Sequence, residues 1–326
     1  MIHLMTLSNE GEITAMANTK KLILDVDTGI DDAIGILLAV KSKKFDILGI
    51  TTVCGNVSVD AATLNTCKVL ELVEADDIPV IKGSATPLLR PPHYEHRVHG
   101  EDGIGGALKD VEPKKTADAG FAPDFIIKQV LQYSKQVTLV LTGPLTNLAL
   151  AVKKCPELIH HVKEVIFMGG VVQGQGNVTP VAEFNTYADP EAAKVVLEAG
   201  FSSLTQVGLD VTRQVLLTDE RIDAIQNETL ASYIRESTSI YRQRYFERNG
   251  VWACAMHDPL AVSLAIEKQL VSTQAFHVEV ETKSEFCDGQ MICDFQHQWE
   301  KQRNVQVCMD VDAEAFFELL IRVMNS

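Results

Sequence analysis

The apolar run Leu22-Ile-Leu-Asp-Val26 empties at once into Asp27, Gly29, Asp31 and Asp32, so that four carboxylates, counting Asp25, fall within eight residues. A β-branched and leucine-rich run of this length reads as a buried strand. Carboxylates crowded at its end repel one another and rise in pKa unless a cation or strong donors sit among them. One or two of the acids could simply cap the helix expected from Asp31 to Val40 with apolar positions Ile34, Leu37 and Leu38, where negative charge meets the N-terminal dipole. Four exceed that role. A cluster of oxygen ligands with no His or Cys interleaved suits Ca²⁺ or Mg²⁺ and not zinc.

What surrounds this element fixes the class. Further strands are expected at Ile47 to Val53, Ile78 to Ile81, Val137 to Leu141, Glu164 to Met168 and Ser203 to Val207. Helical patterns stand between several of them, one capped by Ser58 with Leu64, Val69, Leu70 and Val73 as its apolar face. Parallel crossovers are the economical topology, giving an α/β protein: a single large domain, 21–326, with a mainly parallel central sheet flanked by helices. Arg221 to Arg248 reads as two polar helices, and Phe276 to Val311 as an appended antiparallel region before a terminal helix, Ala313 to Met324. Residues 1–20 lack a basic start and a sustained apolar stretch; they read as a loose extension and not as a secretory signal, with Met16 an alternative start.

Composition removes whole classes of function. The balance of 29 Lys and Arg against 44 Asp and Glu gives a net charge of −15, which is unsuited to covering a phosphate backbone. No apolar run approaches the roughly 20 residues needed to cross a bilayer, so no membrane role is expected. The seven cysteines are odd in number, scattered and without a C-x-x-C pair, which argues against a disulfide framework and for the reducing cytoplasm.

In an open parallel sheet, ligands bind beyond the carboxyl ends of the strands. There the sequence places Cys54-Gly55-Asn56, then Thr142-Gly143-Pro144, then Met168-Gly169-Gly170, and after the last a glycine-rich loop with Asn177, Glu183, Phe184 and Asn185. Any one of these is ordinary turn chemistry. Together they offer amides and acids suited to sugar hydroxyls, which both donate and accept. The segment from Lys82 to Leu108, with three prolines, three histidines and Gly100, Gly103, Gly105 and Gly106, has the character of a lid or binding loop. In Met256-His257-Asp258-Pro259, Asp258 reads as an N-cap with Pro259 at the first helical position. His257 is harder to account for that way and could protonate a departing base.

Asp-x-Asp-x-Gly-x-Asp-Asp, Gly55-Asn56, Thr142-Gly143, Met168-Gly169-Gly170, Asn177 six residues before Glu183 and eight before Asn185, and His257-Asp258-Pro259 together resemble the nucleoside hydrolases, inosine–uridine type. The resemblance runs from about Lys21 to the terminal helix and departs at Thr28, where the family often has proline. It implies a Rossmann-like open sheet and Ca²⁺-dependent hydrolysis of ribonucleosides, with one ion per subunit. The implied metal ligands are Asp27, Asp32, the Thr142 carbonyl and Asp258. Asp27 would be the base for the attacking water, and Asp25 a support behind the ligands. Asp31, Asn56, Asn185 and Asp258 would hold the 2′- and 3′-hydroxyls, Asn177 and Glu183 the 5′-hydroxyl, with Met168 and Phe184 also lining the substrate. His99 falls where the family places a loop histidine near the base, and His257 is the expected proton donor. The resemblance also implies a homodimer or homotetramer.

Two other readings compete. A haloacid-dehalogenase phosphatase also begins with a strand running into Asp-x-Asp, but it wants Thr or Val where this chain has Gly29. A nucleoside- or sugar-binding protein without catalysis would need neither a base at Asp27 nor an acid at His257.

Overall fold

The computed structural model describes residues 19–326; the expected extension over 1–20 lies, up to residue 18, outside them. The strands are β1 (Lys20–Val26), β2 (Phe45–Thr52), β3 (Val80–Lys82), β4 (Val137–Leu141), β5 (Glu164–Met168), β6 (Leu204–Val207), β7 (Leu216–Leu217), β8 (Cys254–Ala255), β9 (Val271–Phe276), β10 (Val278–Val280), β11 (Met291–Cys293) and β12 (Val305–Val311). The longer helices are α1 (Ile30–Lys41), α2 (Val59–Leu72), α3 (Ala122–Gln132), α4 (Thr146–Lys154), α5 (Pro190–Glu198), α6 (Glu228–Ser237), α7 (Ser239–Asn249), α8 (His257–Ile266) and α9 (Ala313–Met324).

Eight strands form the central sheet in the order β3-β2-β1-β4-β5-β6-β12-β9. All neighbouring pairs run parallel except β12 with β9, so the sheet carries one antiparallel edge strand. Alternate residues of the middle strands feed opposite faces. Leu22, Leu24, Val140 and Ile166 pack with Ile34, Leu37, Leu260 and Phe316 from α1, α8 and α9, while Ile23, Leu139, Val165 and Phe167 pack with Ile126, Leu148 and Ala192 from α3, α4 and α5. Burial on both faces is why these strands read as nearly continuous apolar runs.

The expected appended region is in large part the sheet itself. β12 lies against β6, pairing Gln306 with Thr205 and Val307 with Gln206, and only β10 with β11 forms a separate antiparallel pair there. Burial of Val305, Val307 and Cys308 stabilises β12 in that place. Two smaller expectations also change. Leu64, assigned to the apolar face of α2, is 46% exposed, because that helix buries the side carrying Ala62, Thr66 and Val69 instead. A short helix, Asp219–Asp223, precedes the two polar helices α6 and α7, which abut at Thr238. All seven cysteines are free, five of them buried, and among the described residues no helix is long and apolar enough to cross a membrane.

Between β1 and β4 the strand order changes direction: the chain winds outward one way through β2 and β3, then returns to the other side of β1. At such a switch point the loops leaving two adjacent strands diverge and open a crevice. The loops here are those that begin with Asp27 and Thr142.

Candidate active site

The crevice is a cavity of about 670 Å³, lined among others by Asp31, Asn56, His99, Thr142, Met168 and Asn177 and by Glu183, Phe184, Asn185, His257 and Asp258. That volume suits a small-molecule ligand. Every substrate-contact candidate from the sequence is thus on its wall. Asp27 and Asp32 lie directly beneath, both buried.

Each carboxylate is held by a different element. Asp27 Oδ2 accepts from the Asn56 backbone N–H at 2.6 Å, whereas its Oδ1 is buried without a hydrogen-bond partner. Asp32 Oδ2 accepts from Gly29 N–H at 2.9 Å and from the Asn56 amide at 3.2 Å, and its Oδ1 accepts from the Thr142 hydroxyl at 2.6 Å. The capping role foreseen for this acid is therefore real but uses one oxygen. Asp25 Oδ1 accepts from Thr51 at 2.5 Å and from Asn147 at 2.8 Å, which ties β1 to β2 and α4 behind the site. Asp258 is not the N-cap expected of it: α8 begins at His257, and Met256 holds the cap position without a side-chain bond. Its carboxylate joins the cluster instead, with oxygens of Asp31, Asp32 and Asp258 all within 4.8 Å of one another.

The backbone must come unusually close to the acids. A Cβ on Gly55 would lie 2.0 Å from Asp27 Oδ2, and one on Gly143 would lie 3.0 Å from Asp27 Oδ1. Both loops are therefore restricted to glycine at the point where they pass the carboxylate.

Burial, followed by the charge of Asp32, pushes the carboxyls of Asp27 well above the usual range and Asp31 up to about 7. Burial and the charge of Asp31 do the same to Asp258, and burial lifts Asp25 to about 7. An orphaned buried oxygen on Asp27, a ring of carboxylates and the nearby Thr142 carbonyl constitute an all-oxygen donor set that fits a hard divalent cation. Thr142 O accepts from the Asn185 amide at 2.6 Å, and the same amide nitrogen reaches Met168 O at 3.2 Å, which places Asn185 between the two strand ends.

The glycine-rich loop is organised by its own polar residues. Glu183 Oε1 accepts from Asn185 N–H at 2.9 Å and Oε2 from Gly170 N–H at 2.8 Å, and Asn177 Oδ1 accepts from Phe184 N–H at 2.9 Å. These bonds set the loop against the end of β5.

His99 is buried and His257 half-buried, and both are neutral near pH 7. Burial pushes His99 down to about 4, and its Nδ1 accepts from the Ile30 N–H at 3.0 Å, which leaves the ring proton on Nε2. The loop histidine is thus fastened to the first turn of α1. Burial and then the charge of Arg213 push His257 down to about 3. Its Nδ1 lies 2.7 Å from the Thr212 hydroxyl and its Nε2 lies 3.0 Å from the Tyr241 hydroxyl. Thr212, Tyr241 and Arg213 were not singled out in the sequence. The available signal was the cavity-facing repeat Tyr241, Tyr245 and Arg248 at positions i, i+4 and i+7 of a polar helix.

The profile of the inosine-uridine preferring nucleoside hydrolases matches residues 22–318. A pyrimidine-specific ribonucleoside hydrolase of Shewanella woodyi is 36% identical, over 94% of this chain and 99% of its own. The inosine-uridine preferring nucleoside hydrolase of Crithidia fasciculata is 35% identical, over 94% and 98%. Among solved structures, a plant nucleoside hydrolase superposes with a TM-score of 0.88 at 33% identity, covering 94% of this chain and 99% of that one. A purine-preferring ribonucleoside hydrolase from Gardnerella vaginalis gives 0.87 at 32%, covering 94% and 98%. With the acids, amides and histidine of its switch-point crevice arranged as described, the chain belongs to the inosine-uridine preferring nucleoside hydrolase family.

Proposed function

We propose that this protein hydrolyses the N-glycosidic bond of ribonucleosides to ribose and free base, dependent on one Ca²⁺ per subunit held by Asp27, Asp32, the Thr142 carbonyl and Asp258. The observation that carries this reading is the unpartnered, buried Oδ1 of Asp27 beside the joined carboxylates of Asp31, Asp32 and Asp258. A divalent cation bound there supplies positive charge that offsets the crowding and lowers the pKa of water at the site.

The chain's own groups account for the rest. Asp27, fixed through Oδ2 by Asn56, has Oδ1 available to take the proton of the attacking water. Asp31, Asn56, Asn185 and Asp258 hold the 2′- and 3′-hydroxyls, and Asn177 and Glu183 the 5′-hydroxyl. Positive charge develops on the sugar as the C1′–N bond breaks, and the carboxylate floor is disposed to stabilise it. Water displaces the base directly, in one step. The base requires a proton, and with His257 neutral the His257–Tyr241 pair is positioned to relay one from solvent through its hydrogen bonds and not to store it. His99 and Phe184 close the wall around the base.

Relatives are named for pyrimidine-specific and for purine-preferring activity, so overall similarity leaves the base open. The seven free thiols support a cytoplasmic setting, and the family resemblance supports a homodimer or homotetramer.

The test is release of free sugar from a panel of ribonucleosides and 2′-deoxyribonucleosides, with and without a chelator. Ribonucleosides should be cleaved, deoxyribonucleosides poorly, and chelation should abolish activity until Ca²⁺ is restored. Full activity after exhaustive chelation, verified by elemental analysis, would reject the cation. No sugar release from any nucleoside would reject the hydrolase reading itself.

A further inference from the structure

The inward face of α2 is polar where packing alone would make it apolar. Thr63, Asn65 and Thr66 are buried, while Leu64 is turned out to solvent. Buried polar groups are kept where they have partners, so the arrangement points to what these side chains touch.

Asn65 and Thr66 touch Thr28, the residue that follows Asp27 in the acidic loop. Thr28 Oγ1 and Thr66 Oγ1 lie 2.7 Å apart, and both side chains are fully buried. Thr66 gives its own proton to the Ala62 carbonyl at 2.8 Å, one turn back in the helix. A hydroxyl has a single proton, so Thr28 is the donor in the pair. The Thr28 carbonyl is held as well. It accepts from Asn65 Nδ2 at 3.1 Å, and the same nitrogen donates to the Asp102 carbonyl at 2.7 Å, in the segment that follows His99. Two adjacent residues of one helix therefore grip a single loop residue by its side chain and by its backbone.

The grip falls where the loop is most inclined to spread. Asp27, Asp31 and Asp32 repel one another whenever no cation lies among them, and Thr28, Gly29 and Ile30 are the chain that joins the first to the others. Thr28 is also where the sequence departs from the proline often found at this place, a residue whose ring fixes φ at about −65° by itself. A threonine leaves that angle free, and the bonds from α2 restrain it from outside.

We propose that Asn65 and Thr66 are positioning residues for the cation site: by holding Thr28 they keep Asp27, Asp31 and Asp32 gathered before the ion arrives, a restraint that replaces the stiffness of proline. This rests on the cation reading given above. Neither residue lines the cavity, and each acts through Thr28.

The experiment is calorimetric titration of the metal-free protein with Ca²⁺, with amide hydrogen exchange at Gly29 and Ile30 as a second readout. Thr66→Val keeps the side-chain shape and removes the acceptor. It should weaken Ca²⁺ binding about tenfold, as deleting a group that orients a ligand from behind commonly does, and should speed exchange at both amides. Asn65→Leu, which frees the carbonyl, should act in the same direction. Thr66→Ser keeps the hydroxyl and should match the wild type. Thr28→Val with Thr66→Val removes both hydroxyls, leaves no buried donor unpaired and should stay weak, whereas Thr28→Pro with Thr66→Ala should regain affinity by fixing φ. Unchanged affinity and exchange in Thr66→Val, with the wild type binding Ca²⁺ and cleaving nucleosides, overturns this inference and leaves the hydrolase reading standing. Full affinity in the valine pair also overturns it, because the loss in Thr66→Val then belongs to an unpaired hydroxyl and not to the restraint. A proline pair as weak as the valine pair overturns the equivalence with proline. A wild type that binds no Ca²⁺ overturns the cation reading and this inference together.

Discussion

The Thr142 hydroxyl donates to Asp32 Oδ1 at 2.6 Å, so the end of β4 holds an acid from the first turn of α1 across the switch point of the sheet. Removing that donor while keeping the side-chain shape should loosen the acid without collapsing the site. Thr142→Val is expected to bind Ca²⁺ about 10- to 100-fold more weakly, the usual loss when a hydrogen bond orienting a ligand is deleted. Calorimetric titration with Ca²⁺ reads this directly, and an unchanged affinity would show that Asp32 is oriented by Gly29 and Asn56 alone.

Asp27→Asn preserves volume and the bond to Asn56, but it replaces the proton-accepting oxygen. Turnover should fall by about three orders of magnitude or more, as expected where a base and a cation ligand coincide. Thermal unfolding should stay cooperative, because the substitution removes a buried carboxylate that burial and Asp32 already disfavour. Near-wild-type sugar release by a folded variant would contradict the assignment.

For His257 the ratio of two effects decides. If the His257–Tyr241 pair delivers a proton to the base, His257→Ala should slow inosine by about 10² to 10⁴, the range for acid catalysis, and p-nitrophenyl riboside much less. Tyr241→Phe should share the same asymmetry, since its hydroxyl lies 3.0 Å from Nε2. Equal losses on both substrates would make the pair a support for Asp258.

Far from the crevice, Glu279 in β10 contacts Lys301 at 2.5 Å, His277 at 2.9 Å and Lys194 at 3.3 Å. Burial opposes its charge, but these three neighbours outweigh it and bring its carboxyl from an ordinary 4.5 down to about 2. A depressed carboxyl adds stability that is fully present above the unfolded value and is lost as pH falls through the folded one. Melting temperature should therefore drop between pH 4.5 and about 2, and Glu279→Gln should flatten that decline. Parallel acid limbs for the two proteins would remove Glu279 from the account.

The parts of the fold legible in the sequence were those with local signals. Val137–Leu141, Glu164–Met168 and Ala313–Met324 have the bounds their apolar patterns suggested, and Ser58 caps α2 through the Ala61 N–H. β12 was misplaced because its partner β6 lies about a hundred residues earlier and pairing over such a distance leaves no mark in the local pattern. The same distinction holds within the site. Asp27, Asn56 and Asp258 announce themselves by chemistry at strand and helix ends. Tyr241 sits in an ordinary polar stretch, and only the docking of α7 over the crevice puts it beside His257.

The place of β12 has a consequence for how the protein is made. Its sheet is filled by a strand whose partner β6 lies about a hundred residues earlier, and Ser326 bonds back to Lys41 through its hydroxyl and carbonyl. During synthesis β6 must therefore wait with one edge unpaired while roughly a hundred further residues are added, about five to twenty seconds at ordinary elongation rates. Asp258 is added about halfway through that interval, long after the acids of α1. The nascent chain consequently carries its clustered carboxylates without the element that completes the site while six of the eight strands of the central sheet are made.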